Sequence, residues 1–384
     1  MDCLDGMREL ANQSCDCCVT DPPYGIRFMG KTWDYDIPGV AVWKEVLRVL
    51  KPGAHILVAC GTRTQHRMAV NIEDAGFAIR DVICWHYGEG FPKSMNISMA
   101  IDKKCGVVDE RGKTLEGVGE ADRLEGIGQT RHRPITDEAK RWDGWGTALK
   151  PATEFWTLAR KPLAEATVAE NMLHFGTGGI HIDACRLHGP DAQGGTYTVR
   201  RLKTGSELNR SGGNWRPAAG DAELYQGELK AGRFPANLIL DQYMADELDR
   251  QSGVLSSGKP AGVRKAGNHV YGQYAPGQPV TGYGDSGGAA RFFYVAKASA
   301  AERGRGNFHP TVKPLALMQY LIRLICPLEP GRVILEPFAG SGSTCIAARQ
   351  LGLNFYAFEK LAEHIELAEK RLREELGLFY GSGA

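Results

Sequence analysis

The sequence predicts an α/β fold in which both ends of the chain contribute to one parallel sheet. Helical and strand patterns alternate over the first hundred residues, and the same alternation returns after residue 313. Strands that alternate with helices are typical of parallel βαβ units. Because neither half has enough apolar sequence for a core of its own, we expect them to share one sheet, with the middle of the chain inserted between them.

The elements of the two halves follow from hydrophobic periodicity. The first half contains predicted strands at residues 16–20, 55–60 and 78–86 and predicted helices at residues 38–50 and 64–75. The second half contains predicted helices at residues 314–326, 343–351 and 361–376 and predicted strands at residues 332–336 and 354–359. The run His55 to Cys60 (HILVAC) is apolar throughout, which predicts a strand that is buried on both faces.

The middle of the chain has a different composition. Residues 106–150 are polar and rich in glycine, and residues 252–290 contain ten glycines among three tyrosines. Long loops in compact enzymes are commonly functional. Between Thr196 and Tyr320 there are sixteen Lys or Arg residues against ten acidic ones, an excess that suits a surface facing phosphates. A solvated charged surface would give the same count, and a flexible insertion remains an alternative for residues 252–290.

Bulk properties exclude some classes of protein. No run of about 18 apolar residues is present, and the N-terminus MDCLDGMREL has acidic residues where a signal peptide needs basic ones. We therefore expect a cytoplasmic protein without membrane contacts. Cys15, Cys17 and Cys18 are clustered, but no second Cys/His pair has metal-ligand spacing, so we expect buried thiols and no metal site.

The segment TDPPYG (residues 20–25) follows a predicted strand, where ligands bind in open α/β sheets. An exocyclic amine of a base is a poor nucleophile because its lone pair is delocalised into the ring. The Asp21 carboxylate and the Pro22 carbonyl could accept its two hydrogens and favour a pyramidal nitrogen, Pro23 would stiffen the loop, and Tyr24 could stack on an extruded base. A Pro-Pro turn with a capping Asp and a packed Tyr is the alternative.

Two further segments suggest a cofactor site. Residues 336–344 (EPFAGSGST) form a glycine-rich turn between a predicted strand and helix, and no lysine follows it as a Walker A loop requires. Glu359 ends the next predicted strand, where a carboxylate suits the hydroxyls of a ribose. In HPTVKP (residues 309–314), Lys313 could pair with a carboxylate and Thr311 could donate or cap, although alone this segment is a turn before a helix.

Together, DPPYG, HPTVKP and FAGSGST in this order resemble the β-class, circularly permuted DNA amino-methyltransferases of the N6-adenine/N4-cytosine family. The resemblance implies a doubly wound, Rossmann-like methyltransferase sheet with an inserted target-recognition region, and S-adenosylmethionine as cofactor. It implies Asp21, Pro22, Pro23 and Tyr24 as the catalytic loop. The cofactor contacts that we expect are Asp2, Asp21, Thr311, Lys313, Glu336, Phe338, Gly340, Ser341, Gly342 and Glu359.

The same resemblance divides the chain into regions. Residues 1–169 and 291–384 are expected to form the catalytic domain, residues 170–290 the target-recognition insertion, and residues 106–150 a mobile loop facing DNA. Basic residues expected to contact DNA are Arg200, Arg201, Arg264 and Lys265. Double-stranded DNA is the expected partner, and a separate restriction endonuclease and a second copy of the chain are further candidates.

Aspartate as the first residue of DPPYG resembles the enzymes that methylate adenine N6, which is the activity we expect. Cytosine N4 methylation and a catalytically silent DNA-binding subunit of the same fold remain alternatives. Cytosine C5 chemistry would need a thiolate, in that family on a Pro-Cys dipeptide, and none of the nineteen prolines is followed by cysteine.

Overall fold

The computed structural model describes residues 1–27, 34–88, 90, 94–108, 133–189, 194–202, 222–256, 268–269, 272–273, 286–296 and 312–376. The chain forms two compact units, one made of Met1–Tyr87 with Thr153–Ala384 and the other of Gly88–Ala152. Among the described residues, no helix is long and apolar enough to cross a bilayer.

The strands of the described residues are β1 (Cys17–Thr20), β2 (His55–Gly61), β3 (Ala78–His86), β4 (Thr153–Arg160), β5 (Gly195–Leu202), β6 (Ala222–Leu229), β7 (Leu238–Asp241), β8 (Leu255–Ser256), β9 (Asn268–His269), β10 (Gly272–Gln273), β11 (Ser286–Gly287), β12 (Tyr294–Ala296), β13 (Val333–Glu336) and β14 (Asn354–Ala357). The helices are α1 (Cys3–Arg8), α2 (Val40–Val49), α3 (Gln65–Asp74), α4 (Ile97–Lys104), α5 (Asp137–Arg141), α6 (Val168–Phe175), α7 (Gln242–Ser252), α8 (Leu315–Ile325), α9 (Ser343–Gln350) and α10 (Ala362–Leu376).

The main sheet has eight strands in the order β12-β7-β3-β4-β2-β1-β13-β14. Neighbouring strands are parallel except at β4, which runs antiparallel to both β2 and β3. The two halves of the chain meet where β1 pairs with β13, with Cys18 opposite Leu335. The prediction that both halves share one sheet is therefore confirmed.

Helices cover both faces of this sheet, as a doubly wound α/β fold requires. On one face Val19 and Leu57 belong to the apolar cluster that contains Leu321 of α8, and on the other Cys18 and Ile56 belong to the cluster around α2 and α3. Residues of β1 and β2 thus alternate between two buried layers, and the prediction of a doubly buried strand at His55 to Cys60 is confirmed. The expected burial of the clustered thiols of Cys15, Cys17 and Cys18 is confirmed as well.

The middle of the chain is less separate from the sheet than the sequence suggested. β7 lies inside residues 170–290, yet it pairs with β3 and β12 in the main sheet. The segment at β7 thus returns to the sheet before α7 begins, and the bounds 170–290 of the insertion stay a prediction. Further along, β8 pairs with β11 antiparallel, with Ser256 opposite Ser286, so the chain segments that flank residues 257–285 lie side by side.

The second unit contains the range 106–150 that was expected to be a mobile loop. The buried Asp102 carboxylate of α4 accepts hydrogen bonds from the backbone N–H groups of Ile135 (2.8 Å) and Thr136 (3.0 Å). The Thr136 side chain in turn caps α5. The described residues 133–150 therefore include a helix that is tied to α4, and residues 109–132 lie outside the described part of the chain.

Candidate active site

Four carboxyl groups meet at one edge of the main sheet. Asp21 follows β1, Glu336 is the last residue of β13 and Glu359 comes shortly after β14, so all three lie at carboxyl ends of parallel strands. Glu154 joins them from the start of β4, because this strand runs in the opposite direction and pairs Glu154 with Gly61 at the end of β2. Ligands of open α/β sheets bind at this edge.

A cavity of about 480 Å³ opens there. Its walls include Asp2, Asp21, Pro22, Pro23, Tyr24, Lys313, Glu336, Phe338, Gly340, Ser341 and Glu359. The DPPYG residues Asp21 to Tyr24 from the first half of the chain and most of the expected cofactor contacts from the second half thus share one cavity. Its volume is in the range of small-molecule sites in proteins.

The DPPYG loop is held by two side chains, Asp34 and Thr64, that stand in none of the motifs recognised from the sequence. Asp34 accepts hydrogen bonds from the backbone N–H groups of Tyr24 (2.7 Å) and Gly25 (2.9 Å). Thr64 donates its hydroxyl hydrogen to the carbonyl oxygen of Tyr24 over 2.6 Å. Gly25 has a φ of +66°, and a Cβ atom there would lie 3.1 Å from the backbone nitrogen of Ile37. The backbone of this loop is therefore fixed before any substrate arrives.

The Lys313 ammonium lies between two carboxylates. Its Nζ is 2.7 Å from Asp21 Oδ2 and 3.1 Å from Glu154 Oε2, which confirms the prediction that Lys313 pairs with a carboxylate. Tyr24 donates its hydroxyl hydrogen to Asp21 Oδ1 over 2.7 Å. Burial would lower the pKa of Lys313, but the carboxylates of Asp21 and Glu154 outweigh it and raise this pKa. Lys313 is therefore a cation throughout the neutral range.

Burial, together with the negative charges of Asp21 and Glu154, raises the pKa of Tyr24 well above its usual value. Tyr24 is accordingly a neutral hydroxyl that can donate its hydrogen to one acceptor at a time. Burial also raises the pKa of Glu154, and the neighbouring Lys313 opposes this shift. The cluster thus consists of one cation, two carboxyl groups and one phenol.

Both carboxylate oxygens of Glu336 accept hydrogen bonds from other groups of the protein. It is 1% exposed and accepts hydrogen bonds from the hydroxyls of Thr20 and Thr344 and from the backbone N–H of Phe338 (3.0 Å). Burial raises its pKa to about 8. Glu336 lines the cavity, but its hydrogen bonds connect the end of β1, the glycine-rich turn and the start of α9. Its main role is therefore structural.

The glycine-rich turn is joined to the end of β14. Gly340, at a φ of +52°, donates its N–H to Glu359 Oε2 over 2.9 Å. Glu359 Oε1 accepts from the N–H groups of Lys360 and Leu361, both at 2.9 Å. A carboxylate has about four lone-pair sites, so Glu359 retains capacity to accept a hydrogen bond from a ligand hydroxyl.

Arg371 of α10 supports the same turn from behind. Its guanidinium donates to the carbonyl oxygen of Ser341 (2.5 Å), to the Ser341 hydroxyl (2.9 Å) and to the Ser343 hydroxyl (3.3 Å). Arg371 is only 3% exposed, although the charged pattern of residues 361–376 gave no sign of a buried arginine.

Gly342 has a different environment from its neighbours in the turn. It is not among the residues that line the cavity, and a Cβ atom at this position would lie 3.0 Å from the Cβ of Ala368 in α10. Its φ of +81° is one that residues with side chains rarely adopt. The position of Gly342 therefore serves the backbone turn and the contact with α10, and does not support the expected direct contact with cofactor.

The remaining expected site residues are distributed as follows. Asp2 lines the cavity and caps α1 by accepting a hydrogen bond from the N–H of Leu4 over 3.0 Å. Arg200 and Arg201 belong to β5, opposite Leu224 and Glu223 of β6. Thr311, Arg264 and Lys265 lie outside the described residues.

A glycine-rich turn after one strand and a carboxylate after the next are typical of enzymes that bind a nucleoside-containing cofactor. The family comparison is more specific. The chain belongs to the N6_N4_Mtase family, described as DNA methylase, whose family model matches residues 15–370. It is thus a member of the N6-adenine/N4-cytosine DNA methyltransferases, and its cofactor is S-adenosylmethionine.

Individual relatives are similar over short segments. The type II methyltransferase M.HinfI of Haemophilus influenzae is 41% identical over 66 residues, which are 17% of this chain and 18% of that protein. The type II methyltransferase M.HindIII of Haemophilus influenzae (strain ATCC 51907 / DSM 11121 / KW20 / Rd) is 36% identical over 94 residues, which are 24% of this chain and 29% of that protein. The chain therefore matches less than a third of the length of these relatives.

Solved structures align over most of the chain at low identity. The cytosine-N4-specific PvuII DNA methyltransferase is 13% identical, with 97% of this chain and 84% of that chain covered and a TM-score of 0.43. M1.HpyAVI is 14% identical, with coverage of 97% and 95% and a TM-score of 0.40.

The residues around the cavity fit S-adenosylmethionine. Phe338, Phe358 and Leu361 provide apolar walls for an adenine ring. Glu359 has a free acceptor site for a ribose hydroxyl, and Asp21 brings a carboxylate to the same cavity. A nucleoside with a charged sulfonium needs this combination of apolar, acceptor and anionic groups.

Proposed function

We propose that the protein transfers a methyl group from S-adenosylmethionine to the N6 amino group of adenine in double-stranded DNA. One observation carries the proposal: the DPPYG loop after β1 and the glycine-rich turn after β13 line the same cavity, although they stand at opposite ends of the sequence. This order, with the catalytic loop first and the cofactor turn last, is the permuted order of the β-class enzymes.

The chemical step requires acceptors for the hydrogens of the target amine. The Asp21 carboxylate and the Pro22 carbonyl would each accept one hydrogen, and the lone pair would then be directed towards the methyl carbon. Bound S-adenosylmethionine supplies the methyl group from its sulfonium, whose sulfur keeps the electron pair of the broken bond. As the nitrogen gains the methyl group it loses one proton, which Asp21 accepts and passes to water. Positioning of the reactants and oriented acceptors lower the barrier.

The target base has to leave the helix, because its amino group is inaccessible within a base pair. Tyr24 lines the cavity and is only partly buried, and its backbone is held by Asp34 and Thr64. Its ring could stack on the extruded base, an interaction worth about 1–3 kcal/mol. Tyr24→Ala is therefore expected to reduce methyl transfer less completely than loss of Asp21.

Aspartate at position 21 favours adenine N6 over cytosine N4, since serine at this place is more usual in the N4 enzymes. Asp21, Tyr24 and the glycine-rich turn are all intact, which argues against a silent DNA-binding subunit. Under this proposal the parts of residues 170–290 outside the main sheet contact DNA, with Arg200, Arg201, Arg264 and Lys265 as candidate phosphate contacts. A separate restriction endonuclease and a second copy of the chain remain candidate partners.

The direct test is methylation of unmodified plasmid DNA with labelled S-adenosylmethionine, followed by digestion to nucleosides and mass spectrometry. We expect N6-methyldeoxyadenosine with the wild-type protein and none with Asp21→Ala. N4-methyldeoxycytidine would refute the assignment of the base, and absence of any methylated nucleoside would favour the silent subunit. Methylation-sensitive sequencing of the same DNA would identify the recognition site.

A further inference from the structure

Glu154 is a carboxyl group beside Lys313 and Tyr24, two residues that line the cavity, and the proposed chemistry does not use it. Its side chain is 17% exposed, and it is the second residue of β4, opposite Gly61 on one side and Trp85 on the other. Glu154 Oε2 lies 3.1 Å from Lys313 Nζ and 3.2 Å from the Tyr24 hydroxyl. Both of these groups also bind Asp21.

The Asp21 carboxylate has both oxygens engaged in this structure. Tyr24 donates to Oδ1 and Lys313 donates to Oδ2, each over 2.7 Å. Each oxygen keeps one further lone-pair site, so a target amine that donates a hydrogen to Asp21 would share an oxygen with Tyr24 or with Lys313. The Tyr24 hydroxyl has one hydrogen, so it can be given either to Asp21 Oδ1 or to Glu154 Oε2.

We propose that Glu154 is a positioning residue that receives the Tyr24 hydroxyl and shares the Lys313 ammonium when the target amine binds, so that Asp21 Oδ1 accepts the amine hydrogen without a competing donor. This inference rests on the proposed function. The exchange moves one hydrogen bond and breaks no covalent bond. Glu154 already lies near both donors, so a rotation of the hydroxyl and a small shift of the side chains suffice.

Charge supports the same role. Lys313 is one cation between two carboxylates, so each carboxylate holds it less tightly than a single one would. If Glu154 were neutral, the whole attraction of Lys313 would fall on Asp21. Asp21 would then be a weaker acceptor for the amine, although the cavity would keep its shape.

The test compares Glu154→Gln with the wild-type protein in methylation of DNA. Glutamine keeps an acceptor near Tyr24 and Lys313 and removes the charge. We expect kcat to fall about 10-fold. This is less than the roughly 100-fold loss that follows removal of a group that contacts the reacting atoms, because Glu154 acts through Tyr24 and Lys313. The Kd for S-adenosylmethionine from calorimetry is expected to stay within about two-fold, because Glu154 is not among the residues that line the cavity; a fall in kcat without a loss of cofactor affinity separates this role from a merely structural one. Glu154→Asp, which keeps the charge, should recover part of kcat.

A double-mutant cycle with Tyr24→Phe examines the exchange itself. Without the Tyr24 hydroxyl, Asp21 Oδ1 has no competing donor, so Glu154→Gln should lower kcat by a clearly smaller factor in the Tyr24→Phe protein. The same factor in both backgrounds would overturn the inference. If Glu154→Gln does not fold, the cycle is run with Glu154→Asp.

Asp16→Asn is the matched control. Asp16 is a buried carboxylate beside the other end of β1, paired with Lys51 (2.6 Å) and Arg332 (2.9 Å), so its loss should lower the melting temperature and leave kcat unchanged. Wild-type kcat in Glu154→Gln, with Asp21→Ala inactive, would refute the role of Glu154 and leave the proposed function standing. Absence of DNA methylation by the wild-type protein, or full activity of Asp21→Ala, would instead refute the proposed function.

Discussion

Gly340 donates its backbone N–H to Glu359 over 2.9 Å and thereby joins the glycine-rich turn after β13 to the end of β14. The carboxylate that is expected to hold the cofactor ribose thus also shapes the turn that faces the rest of the cofactor. Loss of the Glu359 carboxylate should therefore remove the ribose contact and also disturb the glycine-rich turn. Two substitutions at Glu359 can separate these two effects.

Glu359→Ala is expected to weaken binding of S-adenosylmethionine strongly, because it removes the ribose acceptor and leaves the N–H groups of Gly340 and Leu361 without their partner. Glu359→Gln keeps one acceptor oxygen and should lose less, about 1.5–3 kcal/mol of binding free energy, the scale of one hydrogen bond to a charged group. Calorimetry measures both affinities. Wild-type affinity in both variants would show that Glu359 does not contact the cofactor.

Gly342→Ala is expected to destabilise the protein by at least about 1 kcal/mol, the cost of a left-handed conformation for a residue with a side chain. The contact with the Cβ of Ala368 at 3.0 Å should add to this cost. Ala368→Gly in the same chain should recover only the part due to the contact. Denaturant unfolding of the four proteins gives the two contributions, and a fully restored stability would contradict the assigned backbone strain.

Asp21→Ala should lower methyl transfer at least about 100-fold, since the amine loses an oriented acceptor. The fold should survive, because the buried Lys313 keeps Glu154 as a partner at 3.1 Å. Binding of S-adenosylmethionine should weaken far less than methyl transfer, because Asp21 is one of several groups that line the cavity. Single-turnover assays and thermal unfolding measure the two properties, and near-normal turnover would eliminate Asp21 as the catalytic acceptor.

Glu336 should make stability depend on pH. Its pKa of about 8 in the folded protein lies above the usual value of about 4.3 in an unfolded chain. The folded state therefore binds this proton more tightly, and the free energy of unfolding should fall as the pH rises from about 4 to 8, by at most about 1.4 kcal/mol per pH unit. Urea unfolding across this range should give a flatter profile for Glu336→Gln. Parallel profiles would mean that Glu336 is ionised in both states.

Combined replacement of Arg200 and Arg201 by serine should reduce the salt dependence of DNA binding, because each lost phosphate contact lowers the log–log slope by about 0.9. The same experiment applies to Arg264 and Lys265. Arg250→Ser is a suitable control, since Arg250 pairs with Glu247 within α7. Fluorescence anisotropy at several salt concentrations measures the slope, and an unchanged slope would show that the replaced pair does not contact phosphate.

Much of the sheet could be predicted because its strands are short apolar runs bounded by turn residues. Residues 78–86 form β3 as predicted, and the helix predicted at 64–75 is α3, one residue shorter at each end. β4 and β7 could not be predicted. The four residues of β7 are too few to show a period, and nothing in the apolar pattern of β4 gives its direction.

The same limit applies to the site. Asp21, Tyr24 and Lys313 stand in recognisable motifs, so their types and positions pointed to chemistry. Glu154 reaches Lys313 only because β4 is antiparallel. Asp34 accepts from the backbone of Tyr24, ten residues earlier in the chain, and belongs to no recognised motif. A buried carboxylate that supports a site through tertiary contacts cannot be distinguished, from the sequence alone, from a carboxylate exposed on the surface.

The antiparallel pair of β8 and β11 has a consequence for how such a protein can evolve. With Ser256 opposite Ser286, the two ends of the intervening segment are already adjacent, and the entropic cost of closing a segment grows by only about 0.6 kcal/mol for each doubling of its length. Insertions and deletions between these strands should therefore be tolerated without a change in the positions of β7 and β12 in the main sheet. Under the proposed function, target preference can diverge through residues 257–285 while the catalytic edge of the sheet is inherited unchanged.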